Sequence, residues 1–537
     1  MQQTIQRISR LNEIGISLSV ERNTDIVCER ILQGAMELTH ADGGSLYRMS
    51  DDQKTLEFVI VANHSLGIHM GGSTGTEIDF YPIQLFIDGK ANTGMVVSCA
   101  VHEDRTINIP DAYDVEGFDF SGTRMFDKKT GYRTQSILTV PMKNHEGEII
   151  GVLQLINAKD EQGETKEFSV EERELAESLA SQAAVALTNN RLIEEQRELF
   201  ESFIKMIAGA IDEKSPYTGG HCRRLPDLTM MIAEACHNSD IGVLNDFSMK
   251  DEDRYELRIA GWLHDCGKVT TPEYVIDKAT KLETIYDRIN TVDTRFDVLK
   301  RDAKIEMLEQ KLLRLTETAS LDYSDLEQAY EEKIRQLDDD RDFIRKSNIG
   351  GEFMDEALQQ RVRDIAKYRW LNSDGVEEDL LNDDEVMNMV VQKGTLNDSE
   401  REVINNHIVM TIKMLKELPF PKHLLNVVEY AGGHHERMDG KGYPLGLTRD
   451  QLSIPARMMG IADIFEALTS SDRPYKKGKK LSECLRILGF MKQDGHIDPD
   501  IFDVFIKEKV YLRYAKEFLP SHQIDEIDES KIPGYEI

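Results

Sequence analysis

Residues Tyr430 to Pro444 read YAGGHHERMDGKGYP. Two adjacent histidines stand beside a carboxylate, and the stretch closes in a loop punctuated by Gly440, Gly442 and Pro444. Neighbouring residues on a helix point about 100° apart around its axis. His434 and His435 therefore ligate together only if a cluster of several metal ions, or the last turn of the helix, lies between them. A second pairing of the same chemistry, His264 with Asp265, occurs in LHDCGKVTTPEYVI. Imidazole and carboxylate donors together suit Fe, Mn or Zn, and the combination reads as a metal centre that performs hydrolysis. The two loop glycines permit positive φ and the proline stiffens the exit; Tyr443 between them is read first as structural.

Working outward, two further histidines sit in the same kind of helical setting, His221 after Gly219-Gly220 and His407 after Asn405-Asn406, and Asp463 follows in GIADIFEAL. A lone histidine is more often a satisfied core or surface residue. Five histidines and two aspartates gathered in such motifs make that account improbable. Lys268 follows His264 by four residues, which on one helical face aims its ammonium at the same centre. From Ile211 onward the pattern is helical, with Pro and Gly at the breaks, so the second domain is expected to be all-α. Residues 283–393 stand out: KIEMLEQKLLRLTE and DLEQAYEEKIRQLDDDRDFIRK, joined by the polar ETASLDYSD, predict an antiparallel helical excursion. Such an excursion is either a plain insertion or a lid or dimer-contact element.

Upstream, Leu56 to Asn157 alternates in short apolar runs such as TLEFVIVA, SILTVPM and GVLQLINA, separated by turn signals. This predicts an antiparallel sheet, preceded by helix over roughly 5–38. Ser169-Val-Glu-Glu offers a capping box for a long helix. Along that helix Leu175, Leu179, Gln182, Ala186, Asn189, Ile193, Gln196, Phe200, Phe203 and Ile207 alternate at spacings of four and three, a heptad seam. Its polar members weaken a coiled coil but fix its register, and the seam is read as a helix that pairs two protomers. The predicted organisation is an α+β domain at 1–170, a helical linker at 171–204 and an all-α domain with a helical insertion at 205–537.

The 537-residue chain carries a formal net charge of −32, which disfavours nucleic-acid polymers and anionic membranes. An anionic small substrate needs a local cationic patch, and RPYKKGKK from Arg473 to Lys480 provides one close after Asp463. The six cysteines lack CxxC spacing, and neither a signal peptide nor a long apolar stretch is present. A cytoplasmic protein is expected.

Residues 41–190 resemble a GAF domain, with ADGGSLYRM, SILTVPM and GVLQLINAKD where that family places strands. Asn157, Lys159, Phe168, Glu171 and Glu172 loosely follow the motif of its cyclic-nucleotide-binding members. A salt-bridge network at a helix start is the reading preferred for these five, and the GAF ligand stays open. Residues about 205–285 and 395–515 resemble an HD-GYP domain, through YTGGHCRR, LHDCGKVTTPEYVI, LNDSEREVINNHIVMTIKML, HHERMDGKGYP and IADIFEALTSSDRPYK. That resemblance implies a sensor-regulated phosphodiesterase that opens cyclic di-GMP to pGpG and continues toward GMP. It implies His221, His264, Asp265, His407, His434, His435 and Asp463 as metal ligands, with Asp265 bridging, and Lys268, Arg473 and Lys476 as phosphate contacts. Some members carry a glutamate four residues before the first histidine, supporting a third metal. Tyr217 stands there, which implies two divalent ions, Fe or Mn. The alternatives are hydrolysis of another cyclic dinucleotide such as cyclic GMP-AMP, or a cyclic-dinucleotide receptor or scaffold without activity.

Overall fold

The computed structural model describes residues 2–74, 76–214, 220–318, 322–351, 353–470 and 478–536. Tyr217, Arg473 and Lys476 lie outside the described residues. The chain divides into two compact units, Met1–Leu199 and Phe200–Ile537.

In the first unit, α1 (Gln2–Val20) and α2 (Thr24–Thr39) precede the sheet, and the Asn23 side chain starts α2 by accepting the amides of Asp25 and Ile26. The main strands of its eight-stranded sheet are β1 (Ala41–Met49), β2 (Thr55–Asn63), β3 (Ile68–Gly71), β4 (Ile107–Ile109), β5 (Ile137–Lys143) and β6 (Ile149–Lys159). They order β3-β2-β1-β6-β5-β4 with every neighbour antiparallel. The alternation in the sequence predicts this sheet.

After the sheet and the short helices Val96–His102 and Ser121–Thr130, α3 runs unbroken from Val170 to Lys214. Ser169 and Glu172 close the expected capping box: the Glu172 carboxylate accepts the Ser169 amide at 2.8 Å, and the Ser169 hydroxyl accepts the Glu172 amide at 3.3 Å. The first half of α3 seals the core of its own unit, burying Leu175, Leu179, Ala183 and Ala186 with β5 and β6 residues Leu138 and Leu153. Leu175, Leu179 and Ala186 of the heptad seam therefore face the core beside the sheet. A helix lying on a sheet and a coiled coil demand nearly the same spacing, so the sequence pattern does not separate them. Side chains from 191 to 199 are exposed. Of the motif residues, Asn157 spends its amide on Gln135 N and Arg133 O, and Glu172 pairs with Lys166 at 2.7 Å, the structural network expected.

The second unit holds α4 (His221–His237), α5 (Asp251–Leu263), α6 (Ile289–Thr318), α7 (Ser324–Asn348), α8 (Glu356–Ala366), α9 (Asp383–Met389), α10 (Asp398–Lys416), α11 (Val427–Gly432), α12 (Ile454–Thr469), α13 (Leu481–Gln493), α14 (Pro499–Lys507) and α15 (Val510–Phe518). Its main core gathers Leu225 of α4, Leu257 of α5, Val427 of α11, Phe465 of α12 and Phe505 of α14. The excursion has a separate core, built on Leu282, Phe296, Leu337, Ile344, Val362 and Met389. It is a small subdomain, with α6 and α7 as its helical pair. It also departs from the all-α expectation: β7 (Arg369–Leu371) and β8 (Glu377–Asp379) form a hairpin. The Asn372 side chain folds its loop by accepting the amides of Asp374 and Val376. Strands of three residues carry too little alternation to announce themselves; Asp374-Gly375 is the one turn signal present.

Candidate metal centre

Five elements of the second unit converge on one point: the first residue of α4, the end of α5, the middle of α10, the turn after α11 and the middle of α12. α5 stops at Leu263, and His264 Nδ1 turns back to the carbonyl of Gly261 at 2.7 Å. His407 Nδ1 does the same with Ile404 O, and His434 Nδ1 with Ala431 O at 2.6 Å. A carbonyl only accepts, so each Nδ1 donates there and each Nε2 is turned toward the centre. His221 is held differently. Its Nδ1 faces the Glu466 carboxylate, whose other oxygen accepts Arg224 Nε at 2.8 Å.

The Nε2 atoms then meet. His221 Nε2 lies 3.1 Å from His264 Nε2 and 3.3 Å from Asp463 Oδ1. Asp265 stands between two groups: Oδ2 is 3.1 Å from His264 Nε2, and Oδ1 is 3.3 Å from His407 Nε2. His435 Nε2 completes the far side, 3.3 Å from His407 Nε2. His434 Nε2 and Asp265 Oδ1 are buried without a hydrogen-bond partner. Lone pairs turned toward one another, and buried acceptors left unpaired, are costly, and a cation relieves both. The ligand atoms of His221, His264 and Asp265 fall within 4.8 Å of one another, as do those of His407, His434 and His435. The donors fit a divalent metal site built from two groups, with Asp265 between them and Asp463 beside the first.

The electrostatics agree with ligand roles. Burial pushes His434 well below the usual imidazole range, helped by His435 and His264, and burial takes His435 down to about 4. Both are neutral near pH 7, the form that binds metal. Burial opposes ionisation of Asp265, yet His264 and Lys268 hold its carboxyl well below the ordinary value; Asp463 is lowered by His221 in the same way. Burial also opposes a charge on His221, but Glu466, Asp265 and Asp463 raise it well above the ordinary value.

The vicinal histidines lie beyond the end of their helix: α11 ends at Gly432, and His434 and His435 occupy the following turn. Tyr443 stacks on His435, ring centroids 4.8 Å apart and 23° from parallel. Glu436, buried, anchors the loop by accepting the amides of Leu445 at 2.7 Å and Leu447 at 2.9 Å. Gly440 has φ 75°, as expected, whereas Gly442 does not sit at positive φ. Gly442 is needed for close approach, since a Cβ there would stand 2.4 Å from Arg437 N.

Lys268 also differs from the helical-face reading. It lies in the 3-10 turn Cys266–Thr270, and its ammonium pairs with Asp265 Oδ2. Its side chain is 22% exposed, and although burial opposes the charge, Asp265 and Asp463 raise its pKa. The structure thus brings His221, His264, Asp265, Lys268, His407, His434, His435 and Asp463 together. Sequence reasoning missed Glu466, Arg224 and Glu436. The signal for two of them was present: Glu466 follows Asp463, and Arg224 follows His221, by three residues on one helix.

Two family models match the chain, GAF domain over residues 23–187 and HD domain over residues 383–501. The second span contains His407, His434, His435 and Asp463. A cyclic di-GMP phosphodiesterase of Pseudomonas aeruginosa is 40% identical over 114 residues, 21% of this chain and 26% of that protein. The 3'3'-cGAMP-specific phosphodiesterase 1 of Vibrio cholerae is 39% identical over 114 residues, again 21% and 26%. A cyclic di-GMP phosphodiesterase of Thermotoga maritima is 25% identical over 247 residues, 43% of this chain and 64% of that protein. The chain thus spans about a quarter of the length of the first two relatives. No helix among the described residues is long and apolar enough to cross a membrane.

Proposed function

Because this chain joins a GAF domain to an HD domain, we propose that it is a sensor-regulated, metal-dependent phosphodiesterase that opens cyclic di-GMP to pGpG and continues toward GMP. The observation that carries the reading is the pair of donor groups, His221, His264, Asp265 and His407, His434, His435, with one oxygen of Asp265 toward each. The two ions are Fe or Mn, held by these six residues and Asp463. When bound, such ions polarise a phosphoryl oxygen and lower the pKa of a coordinated water. The chain's own residues do the rest. Lys268 supplies a fixed cation beside Asp265 for the negative charge of the phosphodiester, which shifts toward the leaving oxygen as the bond breaks. Tyr443 holds the His435 ring by stacking, and Glu466 holds His221 through Nδ1. Arg473 and Lys476 add phosphate contacts in this reading.

The proposal places the sensor domain at 1–170, the connecting helix at 171–204 and the hydrolase at 205–537. Two copies pair through the connecting helix, supported by exposed Ile193 and Phe203 on its heptad positions. Six buried, unpaired cysteines support a reducing, cytoplasmic setting. A second reading, hydrolysis of cyclic GMP-AMP, is favoured by the likeness to the 3'3'-cGAMP-specific phosphodiesterase 1 of Vibrio cholerae. Side-by-side turnover of both cyclic dinucleotides by the metal-loaded protein separates them: faster cleavage of cyclic di-GMP is expected, and exclusive cleavage of cyclic GMP-AMP would replace the first reading with the second.

A further inference from the structure

Lys214, the last residue of α3, donates from its ammonium to the carbonyls of Lys268 at 3.1 Å, Val269 at 2.6 Å and Thr271 at 2.7 Å. These carbonyls belong to the turn that leaves His264 and Asp265 and that carries Lys268. Two residues earlier, Asp212 is buried, and its carboxylate accepts the amides of Gly220 and Cys222 at 3.1 Å each. These amides open α4, whose first residue is His221; the residue at its start, Gly220, offers no side-chain cap. One turn of one helix therefore grips two pieces of the metal centre, with a carboxylate on the amides of one and an ammonium on the carbonyls of the other. Each charge matches the partial charge it meets.

The same helix is rooted upstream. Leu175, Leu179 and Ala183 belong to the core of the first unit, and Ile204, Ala208 and Ile211 to the core of the second. An α-helix without a break transmits rotation and axial displacement, and a misplacement of about 1 Å in a catalytic constellation costs roughly a hundredfold in rate. We propose that Asp212 and Lys214 are positioning residues for the metal centre, and that through them the last turn of α3 lets the sensor domain set its activity. This rests on the phosphodiesterase reading for its activity readout only; metal affinity tests it independently.

The experiment uses the full chain and its Asp212→Asn, Lys214→Met, Lys214→Arg and Asp212→Asn/Lys214→Met variants, each with a thermal melt, a Mn2+ binding isotherm and hydrolysis of cyclic di-GMP. Asn and Met are expected to weaken Mn2+ binding by about tenfold or more, while Arg, which keeps the charge, restores most of it. A second series inserts two or seven residues after Gln196, in the exposed part of α3. Two residues turn everything beyond them by about 200°, and seven by only about 20°. The two-residue insertion is expected to change Mn2+ affinity or turnover at least several-fold, the seven-residue insertion little, and the double variant should respond to neither. Wild-type Mn2+ binding and turnover in both Asp212→Asn and Lys214→Met would overturn the proposal. So would a two-residue insertion without effect, or one that acts equally in the double variant. If a substituted protein does not fold, Lys214→Arg and the insertions still decide. If the wild type binds Mn2+ yet cleaves no cyclic dinucleotide, the phosphodiesterase reading fails and the isotherms still decide this one.

Discussion

At Gly267 the centre tolerates no side chain: a Cβ there would stand 1.9 Å from the carbonyl of His407 and 2.6 Å from the amide of Thr411. The turn after Asp265 thus packs directly on the backbone of α10, and the Gly267 amide donates to Thr411 Oγ1 at 2.9 Å. Gly267→Ala is expected to cost about 1–3 kcal/mol in chemical denaturation and to displace His407 from Asp265, seen as weakened Mn2+ binding. Glu466→Gln keeps size and removes the charge behind His221; a loss of roughly ten- to hundredfold in Mn2+ affinity is expected, and an unchanged isotherm would refute a ligand-orienting role. His435 supplies a pH dependence. Its pKa in the fold, about 4 through burial, lies below the roughly 6.5 of an unfolded chain. As pH falls the unfolded chain takes up the proton first, so the metal-free protein loses stability from about pH 6.5 down to about pH 4. His434 acts in the same direction. Melting temperatures of metal-free wild type and His435→Ala across that range check this, the variant being expected to show the shallower slope. At this scale the residues that converge on the centre were legible because their motifs are dense; Gly267 was not, because its neighbour, the His407 carbonyl, lies far away along the chain.

Among the elements, the excursion meets α10, the helix that carries His407, at one buried charge. Lys278 donates to both oxygens of Glu400 at 2.8 Å and to Asn388 at 2.8 Å. Glu400 also closes the capping box that begins α10 with Asn397, two turns before His407. Lys278→Met leaves that carboxylate, whose side chain is 14% exposed, without its partner, and should cost about 3–5 kcal/mol by urea unfolding. A change below 1 kcal/mol would mean that the pair is solvated. The helices of the excursion were readable from charge and period. Its tie to α10 was not, since one lysine among many carries no mark of burial. The hairpin of β7 and β8 escaped for want of length, and the first half of the heptad seam for want of any difference between a helix on a sheet and a helix on a helix.

For the molecule as a whole, the sequence divided correctly into an antiparallel-sheet domain, a long helix and a helical domain, because each has its own period and the periods change abruptly near Ser169 and Ile211. The charge of −32 makes the chain repel its proposed substrate at long range, which leaves attraction to the metal centre and the cations near it. Everything proposed for function converges on that centre. Metal analysis of anaerobically prepared protein, joined to a cleavage assay with cyclic di-GMP on wild type and Asp265→Ala, tests it most directly. The expected result is two Fe or Mn ions per chain, a linear pGpG product, and no cleavage by Asp265→Ala. Metal-loaded wild type that binds cyclic dinucleotides and cleaves none would contradict it and leave a receptor in place of an enzyme.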